Sequence, residues 1–139
     1  MNEQYAALIT ELNRSFTLDE AQKLLDSCEL KEDVRGNLRS QGDGATSILL
    51  LLIGKVEIFV VHDGKAQVIG HVEAGKFLGL SALRGIPRNA SIRTSEPSVV
   101  LEWTLKAFRD LLLQNPSLSE KVLGRSLPTP VEEERTLEA

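Results

Sequence analysis

The chain is poor in the residue types that most often carry chemistry. Among 139 residues there is one cysteine, Cys28, and there are two histidines, His62 and His71. A lone cysteine excludes an intramolecular disulfide and any paired-thiol redox motif, and a reducing, cytoplasmic setting is the plain reading. The histidines lack the spacing of a helical zinc motif, and no cysteine cluster accompanies them. They read as solvated or structural side chains. No Walker loop or nucleophile elbow is present, so an enzyme is not expected, and no metal or resident cofactor is implied.

Long apolar runs are also missing. The longest, Ile48 to Ile53, stops at Gly54-Lys55 and is too short to span a bilayer. It reads as a buried strand. Met1 to Tyr5 has no basic stretch leading into an apolar one, so no signal peptide is expected. Nor is there an excess of positive charge. The net charge is −4, of which −3 falls in the segment from Pro128, where Glu132, Glu133, Glu134 and Glu138 oppose Arg135. Direct nucleic-acid binding, which needs a basic face, is disfavoured. With 42% hydrophobic and 26% charged residues, the composition is that of one ordinary globular domain.

What is present is a change of period along the chain. Tyr5, Leu8, Ile9 and Leu12 fall at helical spacing within 2–14. Thr17-Leu18-Asp19-Glu20 has the capping-box pattern, and Ala21, Leu24, Leu25 and Cys28 continue a second helical stripe. Short segments rich in Val, Ile and Leu then alternate with glycine breaks. Asp63-Gly64 between two such segments predicts a two-residue hairpin turn, and further strands are expected over 89–94 and 98–103. This pattern predicts an antiparallel sandwich or barrel. Helix returns after Thr104, with Phe108, Leu111 and Leu112 facing inward. Asn115-Pro116 reads as an N-cap and first helical position, ahead of Leu118, Val122 and Leu123. Residues 1–125 form the expected domain, and 126–139 an acidic tail or linker.

The segment Gly75 to Ser91 is the most informative. It reads as a strand end, a glycine turn, one short helical turn and a return strand. Free amides at a helix start can receive an anion, Gly79 allows close backbone approach, and Arg88 offers a planar charged fork for a phosphate. The alternative is a surface loop with a solvated arginine.

Gly75, Phe77, Gly79, Ala82-Leu83 and Pro87-Arg88-Asn89-Ala90-Ser91 resemble the phosphate-binding cassette of cyclic-nucleotide-binding domains. Gly42-Asp43 and Ile53-Gly54-Lys55-Val56-Glu57 are similar to that family's first glycine and central hairpin. The resemblance covers about residues 5–125. It implies a mainly β fold, an antiparallel β-roll or jelly-roll barrel with helices at both ends, and a regulatory role. It also implies a ligand, cAMP or cGMP or a related phosphate, held by Arg88 with amides near Ser81, Ala82 and Ala90. Asn89 completes the segment, and Ser91 matches a position that can touch phosphate or purine. The chain departs from the pattern where Leu80 replaces the ribose-binding glutamate, Lys76 an acidic residue and Leu78 an aromatic. Two functions follow as expectations. One is a nucleotide sensor of weakened affinity, acting alone or as a regulatory piece fused to an effector. The other is a ligand-free module for protein interaction or dimerisation.

Overall fold

The computed structural model describes residues 2–39, 47–80, 83 and 90–123. The elements are α1 (Asn2–Leu12), α2 (Leu18–Asp26), β1 (Glu29–Val34), β2 (Asn37–Arg39), β3 (Ser47–Ile53), β4 (Lys55–His62), β5 (Lys65–Glu73), β6 (Phe77–Leu78), β7 (Ser91–Thr94), β8 (Ser98–Thr104), α3 (Leu105–Gln114) and α4 (Pro116–Leu123). The strands form two four-stranded antiparallel sheets, β1-β8-β3-β6 and β2-β7-β4-β5. No described helix is long and apolar enough to cross a membrane.

Around β3 the first sheet is buried on both faces, which is why β3 is an unbroken apolar run. Ile48, Leu50 and Leu52 join Leu101 and Trp103 in a core shared with the helices. Leu49 and Leu51 point the other way, with Val56, Leu78, Ile92 and Val100, into an inner core between the sheets. Most of the chain's few aromatics sit on the helix side. Phe77 lies 6.4 Å from Phe16, 6.1 Å from Trp103 and 5.8 Å from Phe108, centroid to centroid. The Trp103 indole N–H donates to the Leu24 carbonyl at 3.1 Å and to Ser27 Oγ at 2.9 Å, so burying it strands no polar group.

Local signals set the element ends. The Thr17 hydroxyl accepts from the Glu20 amide while the Glu20 carboxylate accepts from the Thr17 amide, closing the capping box. Asp63 (φ 53°) and Gly64 (φ 77°) make the two-residue turn between β4 and β5. Gly54 has φ 108°, and a Cβ there would fall 2.2 Å from Ser98 Oγ, so only glycine fits.

Two expectations are corrected, and one strand was not foreseen. The second helix ends at Asp26, before Cys28, which lies in the bend leading into β1. There its half-buried Sγ–H donates to the Leu25 carbonyl at 3.3 Å, and burial pushes the thiol up to about 11. The segment after it is a strand, β1, although four of its six residues are charged. Asn115 does precede Pro116 at the head of α4, but its side chain does not cap that helix. Its Nδ2 donates to the Leu111 carbonyl and its Oδ1 accepts from Lys23, which ties α3 to α2.

Candidate functional site

The site implied by the sequence is built where β6 runs into the segment that returns as β7. β6 pairs with β3, Leu49 opposite Leu78 and Leu50 opposite Phe77. Phe77 is thereby turned to the aromatic cluster and Leu78 to the inner core. Gly79 follows with φ 83°, a left-handed conformation that favours glycine. Leu80 and Leu83 have the backbone of a short 3₁₀ turn. Both pack on the helix side: Leu80 is half-buried against that core and Leu83 is buried within it. The Leu83 carbonyl accepts from Arg109 Nη2 at 2.8 Å, so α3 grips this turn by a hydrogen bond as well as by packing.

Of the eight residues singled out in the sequence, Gly79, Leu80, Ala90 and Ser91 are described. Ser81, Ala82, Arg88 and Asn89 lie outside the described residues, as do Gly42 and Asp43. Ala90 is half-buried just before β7. Ser91 is buried and pairs with Phe59, whereas the next residue, Ile92, pairs with Ile58. Ile92 belongs to the inner core, so strand alternation turns Ser91 to the opposite, outer face. The contact with a phosphate or purine that the resemblance implies for Ser91 is not favoured by that direction.

The outer face of the second sheet carries a polar group that the sequence reading missed. Arg93 Nε donates to Glu57 Oε2 at 2.9 Å, and its guanidinium lies 4.4 Å from the centre of the Phe59 ring. The pair Glu57–Arg93 sits directly across β4 and β7. His71 stands opposite Glu57, with Nε2 3.8 Å from its carboxylate, while His62 lies at the exposed hairpin end beside Asp63. Without the strand register no sequence signal connects residues 57 and 93.

The inner face of the same sheet is apolar and incompletely covered. Thr94, Val56 and Val72 form one row across β7, β4 and β5, and Ile92, Ile58 and Gly70 form the next. Val56 is fully buried and Ile92 nearly so, while Ile58 and Val72 are half-buried. A wall of this kind can take the flat face of an apolar or aromatic group.

The cyclic nucleotide-binding domain family matches residues 37–115 of this chain. The chain belongs to that family. Among curated proteins it is 30% identical over 98 residues to the cAMP-activated global transcriptional regulator of Pasteurella multocida, an alignment covering 68% of this chain and 47% of that protein. It is 28% identical over 110 residues to the cAMP-dependent protein kinase regulatory subunit of Mycosarcoma maydis, covering 78% of this chain and 19% of that protein. The chain thus spans about half the length of the bacterial regulator it matches.

Among solved structures, a cyclic nucleotide-binding domain from Methylobacillus flagellatus superposes with TM-score 0.71 at 26% identity, covering 96% of this chain and 78% of that one. The catabolite activator protein of Thermus thermophilus gives 0.70 at 20% identity, with coverage of 91% and 58%. The two sheets and flanking helices of this family member are therefore the β-roll that its sequence resembles.

Proposed function

We propose that this family member is a binding module rather than a catalyst, and that its roll takes a cyclic nucleotide, cAMP or cGMP, or a related phosphate ligand. Arg88 pairs with the phosphate, backbone amides of the turn after Gly79 add hydrogen bonds, and the apolar part of the ligand rests on Ile58, Val72 and Ile92. The observation that carries this reading is the partly uncovered inner wall beside a glycine turn, within the stretch that matches the family. The relatives named above support it, because their names describe cAMP-activated and cAMP-dependent regulators.

The reading includes weakened affinity. Leu80 occupies the position of the family's ribose-binding glutamate, and its half-buried side chain packs against the helix-side core. A hydrogen bond to a charged acceptor contributes about 1.5–3 kcal/mol, so its loss reduces affinity roughly tenfold to a hundredfold or more. Leu80 also favours a second reading, a ligand-free module that binds a protein partner or dimerises, because the residue there serves packing.

Titration calorimetry with cAMP and cGMP separates the two. Heat that saturates, and that disappears in Arg88→Ala, is expected for the sensor, and Leu80→Glu is expected to tighten binding at least tenfold. No heat at millimolar ligand with either nucleotide would sink the sensor reading and leave the interaction module.

A further inference from the structure

Gly70 is placed where a strand would ordinarily carry a side chain. It lies within β5, pairs with Ile58, and shares with Ile58 and Ile92 one row of the inner wall. Its backbone does not demand glycine, since its φ lies outside the left-handed region. A register shift occurs beside it, between Ile58 and Phe59, but a bulge needs glycine only where a residue turns left-handed. A Cβ built at Gly70 would meet no heavy atom of the described residues within 4 Å. Crowding therefore does not explain the glycine, and it costs the strand both packing and backbone entropy. What it provides is room, on the inner face, beside apolar neighbours that offer a phosphate no charged partner. That room suits the planar end of a ligand rather than its anionic end.

We propose that the missing side chain at Gly70 is a recognition feature, opening the inner wall to the planar part of the ligand and setting how large a group is admitted there. This rests on the reading of the site given above, under which the planar part is the purine base. The site then accepts cyclic nucleotides enlarged on the base, and a side chain at position 70 excludes them without harming the fold.

The test compares wild type, Gly70→Ala and Gly70→Val in three readouts: thermal unfolding, binding of cAMP and of an 8-aryl-substituted cAMP, and binding of 8-anilinonaphthalene-1-sulfonate. The last probe is an anion with a planar apolar body and does not depend on nucleotide recognition. Wild type is expected to bind the aryl analogue at least as tightly as cAMP. Gly70→Val is expected to weaken the analogue at least tenfold more than cAMP and to reduce the sulfonate probe's binding, with Gly70→Ala intermediate. The midpoint of unfolding is expected to stay level or to rise by up to about 5 °C. Equal effects of Gly70→Val on both nucleotides, or none on the sulfonate probe, would overturn the proposal. So would a fall of more than about 5 °C in Gly70→Val, because the space would then be filled. If no nucleotide binds but the probe binds wild type and not Gly70→Val, the nucleotide reading fails while the opening at Gly70 stands.

Discussion

Glu20 is a buried carboxylate held by two ends of the chain. It is 7% exposed and accepts from the Thr17 amide at 2.8 Å and from Ser117 Oγ at 3.1 Å, and it forms an ion pair with Lys121 of α4. Burial alone would raise its pKa. Lys121, the Thr17 amide and the Ser117 and Thr17 hydroxyls outweigh that and bring it down from 4.5 to about 2. Such a difference corresponds to about 3 kcal/mol of stability at neutral pH. The Lys121 side chain remains 27% exposed, so water screens the pair and about 2 kcal/mol is the better expectation. Because the folded pKa is the lower one, this stabilisation is complete above about pH 5 and is lost as pH falls toward 2.

Glu20→Gln keeps an acceptor for the Thr17 amide and removes the charge. It is expected to cost about 2 kcal/mol at pH 7, or roughly 6–12 °C in unfolding midpoint. Urea unfolding can be followed by the fluorescence of Trp103, the sole tryptophan and fully buried. At pH 3 less than half of the wild-type advantage should remain. A cycle with Lys121→Met should return a coupling of about 1–2 kcal/mol. A gap under about 0.5 kcal/mol at pH 7, or one that does not change between pH 7 and pH 3, would refute the account of a charge clasp between α2 and α4.

Three further substitutions test the frame around the site. Gly54→Ala forces a Cβ against Ser98, whose Cα is 3.0 Å from the built position, and should cost about 2–4 kcal/mol in urea unfolding; Gly36→Ala, with φ 89° but open surroundings, should cost only about 1 kcal/mol. Trp103→Phe removes the donor to Leu24 and Ser27 along with indole volume from the helix-side core, and is expected to lower stability by about 2–4 kcal/mol by the same measurement, read by circular dichroism.

What the sequence disclosed was local. The capping box, the Asp63-Gly64 turn and the continuous apolar β3 each depend on a few neighbouring residues, and each formed as read. β1 escaped because its charged residues carry no apolar alternation; it is a strand through its pairing with β8, with Asp33 left-handed at φ 52° beside the register shift. Glu20 was legible as a cap, but its partners Ser117 and Lys121 lie about a hundred residues away, and nothing near Glu20 names them. Ser91 was a pocket residue by resemblance alone. Only the register of β4 against β7 reveals which way it faces. Gly70 was one glycine among several breaks until its row in the sheet was known.

A physical route leads from the inner wall to the helices. Phe77 and Leu78 are neighbours facing opposite cores, and the glycine turn after them delivers Leu80 and Leu83 back to the helix side. Leu83 is buried in the same core as Phe108, and its carbonyl is held by Arg109 of α3. α3 passes through Asn115 into α4, and α4 closes on α2 through Lys121 and Glu20. Packed apolar contacts along this route resist small displacement, because close-packed side chains have few alternative arrangements. The polar ties are different: Arg109 and Lys121 can exchange their partners for water when α3 or α4 shifts, at little apolar cost. A ligand in the roll would alter the helices only by the difference in its affinity for the two helix positions. Those two cations are therefore where a helix shift is expected to register first, and hydrogen exchange over 105–123 with and without cAMP is the measurement that would locate it.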